Sequence, residues 1–145
     1  MSNTKIIAEI GINHKGDLNK AKKIIDIASR SSAWGVKFQY REIKKFYSKS
    51  IEIGDEILKA ELKKTHISFS KLLSLAKYAK QNNLKVGISF FKVEDLLKNK
   101  KLLNIFDFIK IPSPEFNNYN LIEAARKTKK SVFISTGGNN EKTIL

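Results

Sequence analysis

The chain is 145 residues long, with 41% hydrophobic and 29% charged residues, no cysteine and a net charge of +14. This composition predicts one domain with one hydrophobic core, and the lack of cysteine excludes disulfides and thiolate metal sites. The positive charge suggests nucleic acid as a partner, but it is nearly all lysine, whereas base recognition favours arginine; nucleic-acid binding is not the expected function.

Apolar segments typical of β-strands alternate along the chain with segments of helical periodicity. The predicted strands are residues 6–10, 35–39, 85–90, 106–111 and 131–135. The predicted helix caps are Asp17, Ser68 or Ser70, and Asn117 or Asn118. A short helix is predicted over residues 93–101, and a first helical turn is predicted within residues 139–145. The polar stretch 40–67 is predicted to form a loop that contains a short helix.

Strands that alternate with helices predict parallel pairing with right-handed crossovers. A doubly wound sheet and a (β/α) barrel both fit this pattern, and both place functional groups at the carboxyl ends of their strands. A barrel would need about eight strands, so the five predicted here suggest the N-terminal part of something larger. No segment resembles the nucleotide-binding motifs GxGxxG or GxxxxGK[ST].

Neither a membrane segment nor a targeting segment is evident in the sequence. No apolar run approaches the roughly 20 residues that are needed to cross a bilayer. The first five residues are polar and lead directly into a strand, without the charged and then apolar regions of a signal peptide. We therefore expect a cytoplasmic protein that has no membrane partner.

Charged side chains occur where a buried strand normally carries only apolar ones. Glu9 lies in IIAEIGINH, Lys37 lies in GVKFQ, and Lys110 and Glu115 lie in FDFIKIPSPE. A charge in an apolar layer costs several kcal/mol unless it is paired, so such charges gather where a ligand or a partner charge balances them. The sequence therefore predicts an active site at the carboxyl ends of the strands, with Ser89 and Ser113 as hydrogen-bond donors.

The segments IIAEIGINHKGDLNKAKKIIDIAS, WGVKFQ, FDFIKIPSPEFNNYNLIEAA and VFISTGG together resemble the sialic acid synthase family, which makes N-acetylneuraminate, pseudaminate and legionaminate. The resemblance implies a (β/α)8 TIM-type barrel, with residues 1–145 as its N-terminal portion, lacking the later strands and a C-terminal antifreeze-like domain. It implies a homodimeric transferase that condenses phosphoenolpyruvate with an N-acyl sugar such as N-acetylmannosamine, using manganese or magnesium.

The resemblance also implies roles for individual residues. Enol carbon C3 of phosphoenolpyruvate adds to the sugar aldehyde, water attacks C2, and the tetrahedral intermediate loses phosphate. Glu115 matches the glutamate that handles protons in this sequence, and Glu9 matches one that contacts the sugar. Lys37 and Lys110 match the lysines that hold phosphoenolpyruvate. The polar residues at the strand ends are the further candidates for substrate binding: Ser89, Ser113, Asn13 and Gln39. The family's two metal-binding histidines lie on later strands, and neither His14 nor His66 occupies a matching position.

Other functions fit the same residues. A desolvated barrel lysine beside a carboxylate also suits a Schiff-base aldolase, with Lys37 or Lys110 as the amine. A basic partial barrel would alternatively be a non-catalytic module that binds polyanions or another subunit. The two lysines would have only a structural role if they formed ion pairs with Glu9 and Glu115.

Overall fold

One parallel five-stranded sheet organises the computed structural model, which describes residues 4–42 and 56–144. The strands are β1 (Ile7–Gly11), β2 (Gly35–Tyr40), β3 (Lys85–Phe90), β4 (Phe108–Ile111) and β5 (Ser131–Ile134). Each strand pairs in parallel with the next one along the chain, in the order β1-β2-β3-β4-β5. A doubly wound sheet reverses its strand order at a switch point, so this sequential order identifies a segment of a (β/α) barrel.

Helices connect the strands, as the alternating pattern predicts. The helices in the described ranges are α1 (Leu18–Arg30), α2 (Glu56–Thr65), α3 (Phe69–Gln81), α4 (Val93–Asn99), α5 (Tyr119–Arg126) and α6 (Glu141–Ile144). Asp17 caps α1 by accepting the N–H groups of Asn19 and Lys20, which confirms the predicted cap. Ser68 and Asn118 are the caps of α3 and α5, so these members of the two predicted pairs are the correct ones.

Two predicted boundaries are wrong. Helix α4 ends at Asn99 and continues as a 3₁₀ turn over Lys100–Ile105, because the Asn99 side chain donates to the carbonyl of Asp95 at 2.7 Å and competes with the backbone. Strand β4 begins at Phe108 rather than at residue 106, since the N–H of Phe106 still bonds to this turn. The other predicted strand ends agree within one residue.

The sheet divides its side chains between two faces. Even-numbered residues of β2 and β3, together with Ile109 of β4, join one buried apolar cluster with residues of α1, α3 and α5. Phe108 is equally buried but lies outside this cluster, because it belongs to the opposite face. No helix within the described ranges is long and apolar enough to span a bilayer.

The opposite face, here called the site face, carries the alternating residues of β1 to β5. One row across it contains Glu9, Lys37, Gly87 and Phe108, and the next contains Gln39, Ser89, Lys110 and Phe133. The Phe108 ring stacks on Trp34 and meets Phe133 edge-on, with centroid distances of 5.6 and 5.2 Å. A Cβ atom at Gly87 would lie 2.0 Å from this ring, so the close approach requires glycine there.

Candidate active site

Lys37 is the most deeply buried charged residue of the site face. Its side chain is only 2% exposed, and its Nζ lies 2.7 Å from Glu9 Oε2. The same Nζ donates to Ser89 Oγ at 3.3 Å. Since β2 lies between β1 and β3, Lys37 reaches a carboxylate on one neighbouring strand and a hydroxyl on the other. The predicted residues Glu9, Lys37 and Ser89 are therefore brought into direct contact.

Burial lowers the pKa of the Lys37 amine from its ordinary value of 10.5, although the hydrogen bond and charge of Glu9 oppose this shift. The positive charge of Lys110 on β4 lowers the pKa of Lys37 further. The two lysines are thus close enough to repel each other. An anion bound near both would relieve this repulsion.

Lys110 occupies the same row of the site face as Gln39 and Ser89. Ser89 is the register partner of Gln39 on one side and of Lys110 on the other. Lys110 is partly exposed, and it forms no ion pair within the part of the chain that the structure describes. The ion pairing considered from sequence thus holds for Lys37 with Glu9, whereas the proposed pair of Lys110 with Glu115 is not formed among these residues.

Ser113 and Glu115 lie on the short 3₁₀ turn that directly follows β4. Pro112 is extended before this turn, and the N–H of Glu115 bonds back to the Pro112 carbonyl at 2.9 Å. The Glu115 carboxylate accepts a hydrogen bond of 2.8 Å from Asn118 Nδ2. Gly137, which follows β5, brings its backbone close to Ser113, since a Cβ there would lie 3.6 Å from Ser113 Cβ.

The loop after β1 holds Asn13 and His14. Asn13 is exposed, and its amide donates to the Glu9 carbonyl at 3.3 Å. His14 is buried, its Nδ1 accepts the N–H of Gly16 at 3.0 Å, and burial lowers its pKa. His14 is therefore neutral at pH 7 and holds the shape of this loop, while substrate contact by Asn13 stays a prediction.

The divalent metal implied by the family resemblance needs several ligands at one point. Within residues 4–42 and 56–144, no three His, Asp or Glu side chains are arranged to hold a metal ion. His14 uses Nδ1 in its loop, and His66 lies beside Tyr40, with ring centroids 6.4 Å apart, away from the site face. The side chains in the described ranges therefore do not fit a metal centre.

Sequence reasoning missed two features of this site. Gly87 and Phe108 lie in the same row as Lys37, but this placement depends on strand register, which the sequence alone did not provide. The sequence indicates Asn118 only as a candidate helix cap, whereas its side-chain amide also donates to the Glu115 carboxylate. The spacing of three residues between Glu115 and the cap was the signal that would have suggested this contact.

The strands of the parallel sheet follow one another in chain order, and charged and polar side chains from four elements lie near the carboxyl ends of these strands. These features define a (β/α)-barrel protein with a polar site on the inner face of the sheet. Residues 24–145 match the NeuB family, and the chain belongs to this family.

Named relatives agree with this membership. The chain is 35% identical to N,N'-diacetyllegionaminic acid synthase of Campylobacter jejuni, over 97% of this chain and 44% of that protein. It is 33% identical to N-acetylneuraminate-9-phosphate synthase of Homo sapiens, over 96% of this chain and 40% of that protein. The chain thus spans less than half the length of these curated relatives.

A solved structure shares the fold. The N-acetylneuraminic acid (sialic acid) synthetase from Leptospira borgpetersenii, crystallised in complex with citrate, superposes with a TM-score of 0.82 at 27% sequence identity. The superposition covers 99% of this chain and 51% of that one. The predicted architecture, an N-terminal portion of a (β/α) barrel, is therefore confirmed, and the family resemblance is confirmed with it.

Proposed function

We propose that this chain supplies the phosphoenolpyruvate-binding part of a nonulosonic acid synthase, a cytoplasmic transferase that joins phosphoenolpyruvate to an N-acyl sugar aldose and releases phosphate. The observation that carries the proposal is the buried ammonium of Lys37, held between Glu9 and Ser89 and close enough to Lys110 to feel its charge. Family membership and the synthase relatives support the reaction class.

Phosphoenolpyruvate carries two anionic groups, a carboxylate and a phosphate. Lys37 and Lys110 offer two cations on the site face, and Ser89 between them offers a hydroxyl. Charge-assisted hydrogen bonds in a desolvated site are the interactions that hold such a ligand most strongly. We assign the two lysines and Ser89 to phosphoenolpyruvate, with Gln39 and Ser113 at the borders of the same site.

The two carboxylates differ in their surroundings and would take different roles. Glu9 balances the charge of Lys37 but is 56% exposed, so it can also accept a hydroxyl of the sugar. Glu115 is held through Oε2 by Asn118, and we assign it as the base that takes the proton of the water attacking C2. Asn13 would contact the sugar beside Glu9, since its side-chain amide donates to the Glu9 carbonyl at 3.3 Å.

Titration of the 145-residue chain with phosphoenolpyruvate by isothermal calorimetry tests the assignment. Loss of one charge-assisted contact costs about 1.5–3 kcal/mol, so Lys37→Ala and Lys110→Ala are each expected to weaken binding by about tenfold or more. Lys77→Ala, which removes an exposed lysine of α3, is the matched control and is expected to bind like the wild type. An unchanged affinity in Lys110→Ala, or no binding by the wild type, would contradict the proposal.

Two further measurements separate the alternatives considered from sequence. In a Schiff-base aldolase, borohydride reduction in the presence of pyruvate would leave a covalent adduct on Lys37 or Lys110. The ion pair of Lys37 with Glu9 instead favours the ammonium form of the lysine, which cannot attack a carbonyl. A polyanion-binding module would bind an oligonucleotide with an affinity that falls steeply as salt increases. We expect neither the adduct nor saturable oligonucleotide binding.

A further inference from the structure

The side chain of Asn118 is fixed at both of its polar atoms. Its Oδ1 accepts the N–H of Leu121 at 3.1 Å and thereby caps α5, while its Nδ2 donates to Glu115 Oε2 at 2.8 Å. The cap requires an acceptor facing the helix, so the oxygen must lie on that side. The amide orientation is therefore determined by the network, and its N–H₂ group necessarily faces the carboxylate.

The backbone around Glu115 is held by the same short segment. The N–H of Asn118 bonds to the Glu115 carbonyl at 3.0 Å, and the N–H of Phe116 bonds to the Ser113 carbonyl at 3.2 Å. Only Oε2 of the carboxylate is engaged among the residues that the structure describes, which leaves Oε1 without a protein partner there. One oxygen is thus anchored, and the other is open to a ligand or to water.

We infer that Asn118 is the positioning residue of Glu115, an inference that rests on the proposed function because Glu115 is the assigned base. The amide fixes the rotation of the carboxylate. A proton from the attacking water would then pass to Oε1. A residue that served only as a helix cap would be replaceable by serine or aspartate, since both cap helices well.

This difference supplies the matched variants. Asn118→Ser keeps a capping oxygen but removes the donor to Glu115, and Asn118→Asp keeps the cap but places a negative charge against the carboxylate. Carbodiimide with glycinamide modifies accessible carboxyl groups, so its rate at Glu115, measured by peptide mass spectrometry at one fixed pH, reports how tightly that carboxylate is held. Circular dichroism checks that helix content is retained.

We expect the modification rate at Glu115 to rise about threefold in Asn118→Ser and about tenfold in Asn118→Asp, because the first removes the anchoring donor and the second also repels the carboxylate from its anchored position. Glu94, an exposed carboxylate at the start of α4, is the internal control and should react equally in all three proteins. Equal rates at Glu115 in the wild type and both variants would overturn the inference.

The same samples distinguish this failure from failure of the proposed function. The modification rate at Glu115 needs no substrate, so it reports the Asn118 contact even if the chain does not bind phosphoenolpyruvate. Conversely, tight phosphoenolpyruvate binding with unaltered Glu115 reactivity in the variants would retain the function and remove Asn118 from it.

Discussion

Separate replacement of the two partners in the Lys37–Glu9 ion pair should have unequal effects on the free energy of unfolding, with only the Glu9 replacement destabilising the fold. Lys37→Met keeps most of the side-chain volume and removes an ammonium that is only 2% exposed. The remaining Glu9 is 56% exposed and stays hydrated, while Ser89 loses one donor at a cost of about 1 kcal/mol. Because burying an ammonium costs several kcal/mol, the variant should be as stable as the wild type or more stable by about 2 kcal/mol.

Glu9→Gln should destabilise the fold. It leaves the Lys37 ammonium buried without its counter-ion, although the amide oxygen can still accept one hydrogen bond. Breaking a fully buried pair costs about 3–5 kcal/mol, and water around the half-exposed Glu9 reduces this cost, so we expect a loss of about 2 kcal/mol.

Urea unfolding followed through the fluorescence of Trp34, the single tryptophan, measures both variants. Lys77→Met on the exposed side of α3 controls for the loss of a lysine charge. If Lys37 serves ligand binding, Lys37→Met should lose phosphoenolpyruvate affinity while it keeps or gains stability. A loss of 2 kcal/mol or more in Lys37→Met, with no effect of Glu9→Gln, would show that Lys37 is a structural member of the core and refute this reasoning.

Three other outcomes are expected. Gly87→Ala should destabilise the fold by about 3 kcal/mol in urea unfolding, because its Cβ would overlap the Phe108 ring, and Phe108→Leu should recover part of this loss. Phosphoenolpyruvate affinity, measured by calorimetry from pH 7 to 10, should fall before pH 10.5 is reached, since burial lowers the pKa of Lys37 and the neutral amine holds no anion. Burial raises the pKa of Asp107, but the ion pair with Lys80 and the hydrogen bond from the Val86 N–H outweigh burial and lower this pKa below its ordinary value of 3.8. Asp107→Asn should therefore reduce the free energy of unfolding at pH 7. The difference from wild type should disappear as the pH falls through the lowered pKa.

The sequence predicted the elements because their signals are local. Asp17 precedes an amphipathic run and is found as the cap of α1, and the β-branched segments become parallel strands. The boundary of β4 could not be read in the same way, because the N–H of Phe106 bonds to the Leu103 carbonyl in the 3₁₀ turn before the strand, a contact that hydrophobic character does not indicate. Apolar character alone therefore overestimated the length of this strand.

Part of the site was predictable because charges in apolar strands are informative. Such charges indicate Lys37 and Glu9 as site residues, and the structure places the two side chains in contact. Their arrangement depends on register, which neither composition nor periodicity determines. For that reason a pair between Lys110 and Glu115 stays open from sequence as the structural alternative to ligand binding. The structure anchors Glu115 on Asn118 and pairs no carboxylate with Lys110 among the described residues.

The contact between Lys37 and Ser89 joins two strands that are far apart in the chain, since these residues are separated by 52 in residue number. The other neighbouring strands pair over much shorter separations, such as Gly87 with Phe108. Closing the longest loop carries the largest entropic cost, so β2 and β3 are expected to meet late during folding. Formation of the Lys37–Ser89 contact would then mark this late stage of folding, and a kinetic probe at Lys37 would follow it directly.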